Sequence, residues 1–229
     1  MQGSIQIPAD PKLQYLLRIG DACLFLGQRL GEWCGHAPIV EEDIALSNMA
    51  LDLIGQARGV LTLAGDQCPQ DYDEDQLAFL RDERDYLNPT IVELERGDFA
   101  FTMLRNTLVA TWLKLLWERL RDSSDAELAA IAGKALKEAR YHQQHAVDWV
   151  VRLGDGTETS RQRIEAAAAC GDEEAIRAEL HRLAASCGFV GAAGLADAVR
   201  ALQAAPRDAR ALLRFGLTAS DLPGEKGPE

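Results

Sequence analysis

The chain has 229 residues, of which 47% are hydrophobic and 6% aromatic, enough apolar material for one good core with room for a second small domain. A formal net charge of −12 argues against a nucleic-acid surface and against an anionic membrane. Plain solubility accounts for this acidity, and an interface with a basic partner is its other use. The five cysteines, Cys23, Cys34, Cys68, Cys170 and Cys187, are scattered, odd in number and form no CxxC. With no leader-like stretch and no 18-residue apolar run, the expectation is a cytoplasmic protein with reduced, mostly buried thiols and no membrane contact.

Leu13, Leu16, Leu17, Gly20, Cys23, Leu24, Gly27 and Leu30 fall at helical spacing and predict a first helix with one apolar face. Its two glycines point to close approach of another helix, and Gly35–Pro38 stops it. A second helix is expected over 41–64, with Leu46, Met49, Ala50, Leu53, Ala57, Val60, Leu61 and Ala64 inward. An acidic connector leads to a short helix over 75–86, and Asn88-Pro89 is a breaker. A third long helix is expected over 99–121, with Leu104, Leu108, Thr111, Leu115 and Leu116 inward. Ser123-Ser124-Asp125 caps a fourth over 126–153, which Gly154-Asp155-Gly156 ends. Trp112, Trp117 and Trp149 on these helices suit either a core or an interface with another chain, so self-association stays open.

No period-two alternation runs far enough to predict a strand. The fold class expected is all-α, an up-down bundle occupying 1–159. From about 160 the composition turns to Ala and Arg, with shorter helical runs over 160–169, 172–187, 189–204 and 207–216 and a disordered tail over 221–229.

Long strings carry a resemblance. LRIGDACLFLGQRLGEWCGHAP (17–38), EEDIALSNMALDLIGQAR (41–58), DQLAFLRDER (75–84), KEARYHQQ (137–144) and RLGDGTE (152–158) closely resemble the C-subunit family of bacterial ring-1,2-phenylacetyl-CoA epoxidases (PaaC) over residues 13–166. The resemblance implies a ferritin-like bundle and a homologous catalytic A subunit that carries a di-iron centre and is this chain's partner. It also implies that the C subunit is the structural, non-catalytic half of a complex that epoxidises the ring of phenylacetyl-CoA in aerobic phenylacetate degradation. No cofactor is then expected on this chain.

The residues agree with that expectation. Carboxylate di-iron bundles use a Glu from each of two helices and a Glu-x-x-His from each of two others. Here Glu138 is followed at i+3 by Tyr141, and the imidazole comes one residue late at His142, about 100° further round the helix. The second helix has no His, and Asp52-Leu53-Ile54-Gly55 stands where such a motif would fall. Glu42, in line with Leu46, Met49 and Leu53, points inward, and Glu138 and His142 are i,i+4 neighbours able to pair. Glu42, Glu138 and His142 are therefore either a relic metal pocket or a core histidine satisfied by carboxylates. His145 is expected at the rim or surface.

Past about 167 the family pattern stops. Residues 178–203, AELHRLAASCGFVGAAGLADAVRALQ, are similar to the phosphorylatable helix of histidine-phosphotransfer (HPt) domains at His181, Leu183, Ser186, Gly191, Ala192 and Leu195. Ala184 and Ala185 replace that motif's lysine and first glycine, which removes a charge beside the imidazole and a site of close approach. His181 as a phosphoacceptor, an HPt-like region that only packs, and a compositional likeness are all open. A fourth outcome is a subunit whose altered tail no longer docks its partner.

Overall fold

The computed structural model describes residues 4–169, and these form the all-α bundle expected, with no strand among the described residues. They separate into two compact units, one made of the residues up to Arg96 with Arg121–Glu138, the other of Gly97–Leu120 and the residues from Ala139 on.

The first unit is built on α1 (Pro11–Gly31) and α2 (Val40–Asp66), which pack along much of their length. Pro11 opens α1, and the Asp10 carboxylate caps it by accepting from the Leu13 amide at 2.9 Å. The close approach foreseen from its glycines is present. A Cβ on Gly20 would stand 2.8 Å from Leu61 Cδ2, and one on Gly27 would stand 3.2 Å from the Ala50 carbonyl. α2 has no side-chain cap, but Glu41, Glu42 and Asp43 in its first turn complement the helix dipole. All eight residues expected inward on α2 are buried. At its C-terminal end Gly65 is irreplaceable, since a Cβ there would lie 1.9 Å from the Tyr72 carbonyl.

The helix expected over 75–86 is shorter. α3 (Glu74–Phe79), closed by a capping box between Asp73 and Gln76, ends at Leu80, and a 3-10 turn follows over Glu83–Asp85. The chain leaves its helical path where Arg81 turns into the core to meet Asp21 on α1. A second 3-10 turn over Thr90–Val92 packs on α1.

In the second unit α4 (Phe99–Leu120) carries α6 (Glu158–Ala169). One inward face is expected of α4 from its sequence. Instead it is buried on nearly every side, and Leu108, expected inward, is only half-buried. A helix enclosed all round has no polar face for periodicity to reveal. Trp112 and Trp117 are core residues, while Trp149 is half-buried and meets Phe99 edge to face at 5.0 Å between ring centroids.

α5 (Ala126–Asp155) gives its first part to one unit and its second part to the other. Of the three residues expected to cap it, Asp125 supplies the oxygen, accepting from the Leu128 and Glu127 amides at 3.1 Å. Lys12 Nζ, 2.7 Å from that carboxylate, and these amides hold its pKa below the ordinary value. The helical runs expected over 172–216, the tail over 221–229 and His181 lie outside the described residues.

Candidate functional site

Polar groups buried against apolar helices are the places to look for chemistry, because burial is costly unless a partner offsets it. In the first unit α1 and α2 each contribute one, and these meet a half-buried carboxylate on α5. The Cys23 thiol on α1, fully enclosed, donates to Gln56 Oε1 on α2 at 3.7 Å, and Gln56 Nε2 donates to Glu138 Oε2 on α5 at 3.0 Å. Lys134 Nζ lies 3.9 Å from the other Glu138 oxygen, one turn earlier on α5. Burial, then the nearby carboxylates of Glu138 and Asp21, push the Cys23 thiol far up, so it stays protonated and acts as a donor.

Glu42 is buried near the start of α2, as its register implied. In the second unit His142 is buried, its ring edge-on to Tyr141 at 6.2 Å, and the neighbouring Gln143 donates to Thr111 Oγ1 on α4 at 2.9 Å. His145 is half-buried, and His36 is exposed in the turn after α1 with Nδ1 2.9 Å from the Cys34 carbonyl. Gly55, where a metal-binding histidine would fall on α2, faces outward. Among the described residues, no group of three or more His, Cys, Asp or Glu side chains is placed to hold a metal ion. The donor set among the described residues therefore does not fit a di-iron centre.

Sequence reasoning passed over three residues that matter here. Gln56 was legible as a polar position on the buried stripe between Leu53 and Val60. Asp21 and Arg81 had no local signal, because their pairing spans 60 residues. Both side chains are fully buried, and the guanidinium grips the carboxylate with two nitrogens, one at 2.9 Å. Asp21 also accepts from the Leu87 amide at 2.9 Å, and the Arg81 guanidinium stacks 4.3 Å above the Tyr86 ring. Burial raises the Asp21 pKa, with Arg81 and the Leu87 amide pulling it back.

This clamp holds the 77–87 segment against α1, and residues of both line an open groove of about 910 Å³. Leu24, Phe25, Phe79 and Tyr86 make its apolar surfaces, and Arg29 and Arg84 bring cations to it. No helix among the described residues is long and apolar enough to cross a membrane.

The fold defines an all-α protein of paired helices, in which Cys23, Gln56 and Glu138 are linked by hydrogen bonds and Asp21 is paired with Arg81. The family described as phenylacetic acid catabolic protein matches residues 3–170, and the chain belongs to it. It is 51% identical over 153 residues to the C subunit of the 1,2-phenylacetyl-CoA epoxidase of Escherichia coli (strain K12). That alignment takes in 67% of this chain and 61% of the relative, so the chain spans less than two thirds of the length of the curated protein it resembles.

Proposed function

We propose that this chain is a non-catalytic, structural subunit of a phenylacetyl-CoA 1,2-epoxidase, serving aerobic phenylacetate degradation in the cytoplasm by docking a catalytic A subunit that holds the di-iron centre. The observation that carries this reading is the 51% identity to the C subunit of such an epoxidase, joined to carboxylates that, among the described residues, are not grouped as metal ligands. Glu138, which in an iron-binding relative would face a metal, here accepts from Gln56. In this reading Glu42, Glu138 and His142 are what is left of a metal pocket, with Glu42 and His142 kept in the core and Glu138 at its edge.

Co-expression with a phenylacetyl-CoA epoxidase A subunit, followed by pull-down and iron quantification in each chain, tests it. A stable complex with iron on the partner alone is expected. Stoichiometric iron with turnover by this chain by itself would overturn the non-catalytic role. Failure to associate would overturn the docking role and leave a docking-deficient subunit. A second reading rests on the HPt-like residues around His181, with phosphotransfer from a phosphorylated response regulator as the activity. Equal labelling of the wild type and His181→Gln would end it.

A further inference from the structure

The outer face of α2 is apolar where a surface helix is normally polar. Val40, Ile44, Leu51 and Ile54 are 72%, 58%, 66% and 42% exposed. Together with Ser47 and Arg58 they sit at 40, 44, 47, 51, 54 and 58, alternating steps of four and three that put all six on one line. The opposite side of the helix, Leu46, Met49, Leu53, Gln56 and Val60, is already buried in the unit. α2 therefore has two apolar faces, and the outer one runs about 21 Å from Val40 to Ile54. An a/d line of this length is the seam along which a second helix packs.

The charge around the seam selects the occupant. On α2 the carboxylates beside this line are Glu41, Asp43 and Asp52, Glu42 being turned inward, and the helix has one cation, Arg58, whose guanidinium is 3.0 Å from Glu74. Two copies of α2 face to face would bring acidic flanks together, which a chain of net charge −12 cannot relieve. A helix whose own seam is bordered by lysine and arginine complements both the apolar line and the acids.

We propose that the Val40–Ile54 face of α2 is the docking surface for a basic-flanked amphipathic helix of the catalytic subunit. This rests on the subunit reading above and adds where the contact is made and which chemistry makes it.

The full-length chain with Leu51→Asp, and the same chain with Val151→Asp as a control on the exposed part of α5, are titrated with the A subunit after circular dichroism confirms that each is folded. Leu51→Asp is expected to weaken binding by about tenfold or more, with Val151→Asp near wild type. Glu41→Lys is expected to slow association. Maleimide labelling of Leu51→Cys, read peptide by peptide in a mass spectrometer, is expected to be fast in the free chain and blocked in the complex.

Wild-type affinity in Leu51→Asp, or unchanged labelling in the complex, would overturn the proposal while leaving the subunit reading standing. Absence of any wild-type complex would remove both. Slow labelling of the free chain would mean that its own residues cover the seam. A free dimer by light scattering that Leu51→Asp makes monomeric would mean that a second copy does. Either result overturns the proposed occupant.

Discussion

The Asp21–Arg81 pair is the residue-level feature with most at stake. Two charges fully withdrawn from water are tolerable only because each supplies the other's counter-charge, with the Leu87 amide taking a further lone pair of Asp21. Arg81→Leu strands the carboxylate, and we expect it to cost about 3–5 kcal/mol in urea unfolding. Asp21→Asn in that background removes the charge and keeps an acceptor for Leu87, so it is expected to restore most of the loss. The pH dependence follows from the direction of the shift. Burial raises the Asp21 carboxyl above its ordinary 3.8, and Arg81 is among the groups that restrain the rise. A carboxyl raised in the folded state favours folding when protonated. That contribution is present below the ordinary value and is lost as pH rises through the folded one. The deficit of Arg81→Leu is thus expected to be largest at neutral pH and to shrink as the pH falls towards 3.8. A deficit independent of pH would mean that packing of the arginine stem, not charge, is what the substitution removes.

At the scale of elements, the contact between α1 and α2 is set by what their surfaces lack. Gly20 sits against Leu61, which is only 2% exposed and has nowhere to move, whereas a methyl group added to Gly55 on the outer side of α2 would meet nothing within 4 Å. Both glycines lie inside helices, where alanine is preferred by about 1 kcal/mol. At Gly55 only that preference acts, and Gly55→Ala is expected to stabilise by about that amount. At Gly20 overpacking of about 1–3 kcal/mol opposes it, and Gly20→Ala is expected to lose stability by about 1 kcal/mol net. Paired thermal melts decide the sign. A gain at both positions would mean that α1 and α2 can separate slightly at no cost. The same contrast explains what is legible in the sequence. α1 and α5 are readable because each has a polar side that makes its buried side periodic, and α2 because polar residues such as Glu41, Asp52 and Arg58 separate its inner stripe from its exposed apolar line. α4 misleads because it has almost no exposed side, and even Arg105 and Lys114 on it are buried. α3 is shorter than its local pattern suggests because the pull of Asp21 on Arg81 is a tertiary effect that no such pattern carries. Of the candidate site, the inward placement of Glu42 and His142 follows from register, while the Gln56 partner of Glu138, 82 residues away, does not.

At the scale of the whole molecule, charge acts in two ways that ionic strength separates. With 36 acidic and 24 basic residues, the chain repels itself at neutral pH, and that repulsion works against the compact state. Exposed charges are screened beyond about 8–10 Å at physiological salt, whereas fully buried pairs are screened far less. Salt should therefore relieve the surface repulsion and leave the Asp21–Arg81 clamp untouched. Raising sodium chloride from about 10 mM to about 150 mM at pH 7 crosses this screening range. The melting temperature is expected to rise, and a gain of about 1 kcal/mol corresponds to ~2–4 °C in a chain of this length. Near pH 4.8, where the net charge of the sequence vanishes, the salt response should largely disappear. A fall in melting temperature with salt at pH 7 would mean that exposed pairs such as Lys12–Asp125 and Arg140–Glu118 outweigh the excess of carboxylates. A rise would mean that the acidity costs the isolated chain stability, and a basic-flanked helix laid along α2, as proposed above, would neutralise part of it and remove the apolar seam from water in one step.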